Sequence, residues 1–66
     1  MITLISEYFK DDHQKANVLE LNGVYMIEYI KDDVVFYKEL FDNNTLQYVE
    51  DAAENWALGI KKLPED

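Results

Sequence analysis

The chain has 66 residues, with 14 acidic side chains against six lysines, no arginine and no cysteine, and a formal net charge of −8. That length supports one small domain with a shallow core, and the missing cysteines exclude a disulfide framework and a cysteine-ligated zinc. The charge opposes direct binding to nucleic acid or to an anionic membrane, where neutralised phosphate drives association.

Residues 2–9 read as a first strand, because β-branched and aromatic residues dominate and neither Gly nor Pro interrupts them. The alternation is imperfect. Ile2, Leu4, Ser6 and Tyr8 would share one face and Thr3, Ile5, Glu7 and Phe9 the other, and the pattern does not choose between them. Residues 10–17 form the most polar window and read as an exposed loop. A short second strand is expected at residues 18–21. Asn22-Gly23 then supplies two residues that tolerate positive φ, as a tight hairpin requires.

A third strand is expected over residues 24–30, a turn at Lys31-Asp32-Asp33, and a last strand over residues 34–41. Val24, Met26 and Ile30 share a side with Glu28, and Tyr25, Ile27 and Tyr29 share the other. In the last strand Val35, Tyr37 and Phe41 alternate with Phe36 and Leu40. Both faces of this hairpin are apolar, and one helix covers only one face. The other must expose tyrosines and aliphatic side chains or meet another subunit.

Asp42-Asn43-Asn44-Thr45 is a dense helix-start signal. Thr45 is the preferred cap, and Asn44 with Gln47 offers an alternative capping box. Helical spacing over residues 46–58 aligns Leu46, Val49, Ala52, Ala53, Trp56 and Ile60 on one side, with Glu50, Asp51, Glu54 and Asn55 on the other. Glu50 and Asp51 in the first turns and Lys61 and Lys62 beyond the end complement the helix dipole. Gly59 suits the left-handed position after the helix, and Pro64 stops its continuation. Residues 61–66 read as a frayed tail. The whole is one domain, residues 1–66: an α+β fold, with an antiparallel meander of three to four strands and one C-terminal helix packed on one sheet face. With a marginal core and no covalent staple, a homo-oligomer is favoured.

Three groups carry possible chemistry. Asp11-Asp12-His13 holds two carboxylates and the only imidazole, yet without cysteine or Ca²⁺-loop spacing it reads as a solvated loop. Asp32-Asp33 reads as a polar turn. No phosphate loop, nucleophile elbow or metalloprotease motif is present, so the expectation is a non-enzymatic protein with no cofactor and no metal. Glu50, Asp51 and Glu54 form an acidic helical face. With Tyr25, Tyr29 and Tyr37 they make up the candidate interaction surface, since five tyrosines exceed what so small a core can enclose. Trp56 reads as core.

The strands followed by Phe41, Thr45 and a helix bearing Ala52, Ala53 and Trp56 resemble the three-stranded sheet plus helix of the plant AP2 domain and of phage integrase arm-binding domains, over residues 24–58. The resemblance implies that shape. Those domains bind DNA through basic sheet residues, whereas the matching strands carry only Lys31 and Lys38, with Glu28 and Glu39 nearby. The stretch Tyr48-Val49-Glu50-Asp51-Ala52-Ala53-Glu54-Asn55-Trp56-Ala57-Leu58-Gly59 is similar to a segment of small uncharacterised proteins of marine cyanophages. Gly, Ala, Arg and Pro total seven residues against 21 of Ile, Lys, Asn and Tyr, which fits an AT-rich genome.

Function is then expected to lie in protein interaction: a small acidic module, as a phage accessory protein acting on a host protein. The first expected partner is a second copy, as a homodimer through the open sheet face or a free edge. A nucleic-acid-mimicking inhibitor of a basic DNA- or RNA-binding protein is the second reading. It requires Glu28, Asp32, Asp33, Glu50, Asp51 and Glu54 to lie in one row. Direct nucleic-acid binding by the AP2-like shape is third. No apolar run approaches the ~18 residues of a membrane span, and Met1 to Glu7 has no basic n-region. The expected location is the cytoplasm, of the host cell for a phage-encoded protein.

Overall fold

Four strands run as an antiparallel meander, β1 Ile2–Phe9, β2 Gln14–Leu21, β3 Val24–Lys31 and β4 Val34–Phe41, in the spatial order of the chain, and α1 Leu46–Ala57 lies across one face. This architecture is that of a computed structural model that describes residues 1–64. The α+β class and the single C-terminal helix agree with the sequence reading, and the sheet has the fuller count of four strands.

Two turns set the register. Asn22 and Gly23 sit at φ 53° and 84°, and Asp32 and Asp33 at 52° and 67°. Both pairs close two-residue hairpins, with Leu21 opposite Val24 and Lys31 opposite Val34. Left-handed pairs of this kind match the right-handed twist of the strands they join. Asn-Gly adopts them readily; Asp-Asp does so against the preference of its Cβ atoms.

The β1–β2 connection is shorter than expected. Residues 14–17 belong to β2, and Ala16 is fully buried between Tyr8 and Tyr29. The polarity of Gln14, Lys15 and Asn17 hid this strand. Asp11 closes the loop, accepting from the His13 N–H (2.8 Å) and from Gln14 Nε2 (2.9 Å). The His13 hydrogen bond, above all, holds the exposed Asp11 carboxyl below its ordinary value.

Each edge strand carries one irregularity, between Leu4 and Ser6 in β1 and where Tyr29 and Ile30 face Tyr37 and Val35 in β4. The extra residues are Ile5 and Phe36. Each shifts the side-chain alternation by one, so Ile5 with Ser6 and Phe36 with Tyr37 turn towards the helix. Neither four-residue set expected for β1 therefore survives intact. Ile2 and Leu4 share their face with Glu7 and Phe9, while Thr3, Ser6 and Tyr8 lie on the other. In β4, Phe36 joins Tyr37 and Phe41 rather than Leu40.

Thr45 caps α1, its Oγ1 accepting from the Tyr48 N–H. With Thr45 as the cap, Tyr48 rather than a Glu or Gln stands at the third helical position, so the Asn44–Gln47 capping box does not form. Glu50 and Asp51 also fall beyond the first turn, which holds no acidic residue. At the other end Gly59, at φ 82°, donates to the Trp56 carbonyl (3.0 Å) and Ile60 to the Asn55 carbonyl (2.8 Å). This paired closure satisfies carbonyls that the helix end would leave bare.

The core is Ala16, Val18, Ile27, Tyr29, Val49, Ala53, Trp56 and Leu63. The helix supplies Val49, Ala53 and Trp56 and packs on β1, β2 and β3. The tail covers what the helix leaves. Gly59 turns the chain, Lys61 pairs with Glu39 of β4 (3.4 Å), and Leu63 is 4% exposed. The expected frayed tail is thus packed through Leu63, residues 65–66 of that stretch lying outside the described residues. Ile60, assigned to the apolar stripe by spacing, is exposed because the Gly59 turn takes it out of the helix.

Candidate interaction surface

Cross-strand partners share a face, so the register sorts every strand residue. Towards the helix lie Ser6, Val18, Ile27 and Glu39 in one row, Tyr8, Ala16, Tyr29 and Tyr37 in the next, and Thr3, Glu20, Tyr25 and Phe41 beyond. All three tyrosines expected at an interaction surface are therefore on the covered face. Tyr29 is fully buried, edge-on to Trp56 with ring centroids 5.0 Å apart, and its hydroxyl donates to Glu39 at 2.7 Å. Burial first, then the Glu39 bond and charge, push the Tyr29 phenol far above its ordinary value. Tyr25 and Tyr37 are half-buried around the same core. Alternation placed Tyr25 and Tyr29 together correctly, but could not say that the helix would take their side.

The acidic helical face divides as well. Glu50 accepts from the Ser6 hydroxyl at 2.9 Å and so ties the helix to β1. Partial burial, followed by the Glu50 charge, pushes the Tyr8 phenol up. Asp51 and Glu54 remain exposed. Across the molecule the carboxylates do not form a row: Glu28 lies on the face away from the helix, Asp32 and Asp33 in a turn, and Glu50, Asp51 and Glu54 on the helix.

The open face carries more of the exposed large apolar side chains than any other surface, although Tyr48, Leu58 and Ile60 on the helix and just beyond it are exposed too. Its first row is Ile2, Leu21 and Val24. Its second is Leu4, Leu19, Met26 and Leu40. A polar third row follows, Glu7, Asn17, Glu28 and Lys38, and the fourth is Phe9, Lys15, Ile30 and Val35. Leu40 is 73% exposed, Phe9 65%, Ile2 55% and Leu4 51%. Leu21, Asn22, Val24, Met26 and Leu40 line a shallow apolar hollow at the Asn22–Gly23 end. Scattered exposed aliphatics are ordinary on a small protein; this many in contiguous rows on one sheet face are not.

Charge on this face balances, although the chain as a whole carries −8. Lys15 pairs with Glu7 at 3.1 Å and Lys38 with Glu28 at 3.8 Å. Lys15 also lies over the Phe9 ring. The surplus of apolar sheet surface, tyrosines and aliphatic side chains together, is legible in the sequence, but of the sheet residues only Tyr25, Tyr29 and Tyr37 are singled out there as the candidate surface. The overlooked signal is the leucine and isoleucine content of β1 and β2, which no tyrosine interrupts on that side.

Elsewhere, His13 Nδ1 lies 3.3 Å from Asp32 and joins the two turns at one end of the sheet. Among the described residues no group of three His, Asp or Glu side chains converges as a metal site would require, and no helix is long and apolar enough to cross a membrane. Comparison with protein-family models, with curated proteins and with solved structures finds no match to this chain.

Proposed function

We propose that this chain is a small non-enzymatic protein-interaction module whose working surface is the open sheet face. The observation that carries the proposal is the pair of apolar rows running from Ile2 to Leu40, uncovered beside a core closed by the helix and tail. At about 25 cal/mol per Å², covering several such side chains contributes several kcal/mol to association. Edge pairing is the weaker alternative, because the irregularities at Ile5 and Phe36 disturb both free edges. The carboxylate layout lends no support to the nucleic-acid-mimic reading, and an apolar face with two lysines lends none to direct nucleic-acid binding. The host-directed accessory role is part of the same proposal.

The test compares tagged wild type with Leu40→Asp as baits for proteins of the host cell. The expected result is a partner captured by the wild type and lost with Leu40→Asp at unchanged melting temperature, while Glu54→Lys on the helix leaves capture intact. Partners lost with Glu54→Lys and kept with Leu40→Asp would move the working surface to the helix.

A further inference from the structure

The open face has a symmetry that selects one occupant. We infer that it docks a second copy of this chain, face to face, about a two-fold axis that runs along the strands between β2 and β3. The inference rests on the docking role proposed for this face and names its partner.

Such an axis exchanges β1 with β4 and β2 with β3 while keeping each row level with itself. Leu4 of one copy then stands over Leu40 of the other, Leu19 over Met26, and Leu21 over Val24. In the polar row Glu7 meets Lys38 and Asn17 meets Glu28. In the last row Phe9 meets Val35, and the stem of Lys15 lies along Ile30. Ile2, at the end of its row, has no β4 counterpart; every other apolar position meets an apolar one or an aliphatic stem, and no carboxylate meets a carboxylate. Because the axis is two-fold, each of these contacts occurs twice.

The other two-fold orientation that covers all four rows fails on them. A two-fold axis lying across the strands between the second and third rows sets Leu4 against Glu7 and Met26 against Glu28. It would bury carboxylates against hydrocarbon without partners, which costs several kcal/mol. Docking through the helix side brings Asp51 and Glu54 of both copies together on a chain of net charge −8. The open face alone combines apolar surface with locally balanced charge.

Size agrees. Four strands about 4.8 Å apart and eight residues long at about 3.3 Å per residue give a face of roughly 500 Å² in projection, and more in accessible area. That approaches the ~800 Å² per partner of a stable interface. Aligned sheets pack with their strands rotated by about 30°, an offset that the long Glu7 and Lys38 side chains can span.

Sedimentation equilibrium of the whole chain tests the inference with charge exchange. Wild type is expected to be dimeric at a few hundred micromolar. Glu7→Lys and Lys38→Glu, each alone, set like charges across the axis and should weaken association about tenfold or more. The double variant Glu7→Lys/Lys38→Glu should restore it. Glu28→Lys/Lys38→Glu preserves the pair within one copy yet sets the carboxylate introduced in β4 opposite Glu7 of the other copy, so it should stay weak. Circular dichroism checks the fold of each variant; these exposed pairs contribute under about 1 kcal/mol to folding. A monomeric wild type, single variants that associate normally, or rescue by the second double variant as readily as by the first would overturn the inference. A monomeric wild type whose capture of another protein is still lost with Leu40→Asp would refute self-docking alone and leave the broader docking role standing.

Discussion

Tyr29 donates a 2.7 Å hydrogen bond to Glu39 from beneath Trp56, and Glu39 in turn pairs with Lys61 of the tail. One buried phenol thereby links the central strand, the edge strand and the C-terminal segment. Its ionisation is opposed by burial and by the neighbouring carboxylate.

The first prediction follows from the sign of that shift. Tyrosine ionises near pH 10 in an unfolded chain and well above that when folded here. Stability from this group is therefore fully present below about pH 10 and falls as pH rises above it, because the unfolded state loses its proton first. Chemical denaturation at stepped pH should show a flat profile to about pH 9 and a decline beyond. Tyr29→Phe should shallow that decline, and at neutral pH it should lower stability by about 1.5–3 kcal/mol, the range for a hydrogen bond to a charged acceptor.

Trp56 is fully buried, Lys10 lies 4.9 Å from its ring centroid, and its Nε1 has no hydrogen-bond partner among the described residues. Trp56→Ala should cost about 3–5 kcal/mol, against the roughly 3–10 kcal/mol total expected at this size, and leave the chain largely unfolded by circular dichroism. Trp56→Phe should cost clearly less, because it removes the unpartnered N–H while keeping most of the ring.

Asp33 holds φ 67° in the β3–β4 turn and is exposed. Asp33→Gly should stabilise by about 0.5–1 kcal/mol, since glycine adopts this conformation without steric cost. For a domain of this size that corresponds to about 2–8 °C in melting temperature. A lower melting temperature would mean that the Asp33 side chain holds the turn.

Leu63→Ala tests the packed tail. A buried leucine of this kind contributes about 2–5 kcal/mol, whereas a frayed one would contribute almost nothing. Gly59→Ala should also destabilise, by about 1 kcal/mol, through its left-handed φ of 82°. There is room for the new Cβ, so the loss would be conformational rather than steric.

Local chemistry made much of this fold legible in the sequence. Gly59 and the Asn22–Gly23 turn act through their own backbone preferences and Thr45 through its side-chain oxygen, and the structure places all three as their residue types require. The start of β2 was not legible, because Gln14, Lys15 and Asn17 are strand residues only by virtue of pairing with Glu7, Phe9, Glu28 and Lys31. Nor were the shifts at Ile5 and Phe36, where one extra residue reverses the face of everything beyond it. The candidate surface was misplaced for a different reason. Tyr25, Tyr29 and Tyr37 are assigned to the covered face by the position of the helix, a tertiary fact that alternation along a strand does not contain. Leu63 is likewise core only because the Gly59 turn directs the chain back towards β4.

The central claim is that the open sheet face is a self-complementary interface. Isotope-filtered nuclear Overhauser spectroscopy on a mixture of labelled and unlabelled chains tests it most directly, because only contacts between copies give signal. Cross-peaks are expected between the methyl groups of Leu4 in one copy and Leu40 in the other, and between Leu19 and Met26. Absence of any intermolecular signal at a few hundred micromolar, or cross-peaks confined to helix residues such as Ala52 and Leu58, would contradict it.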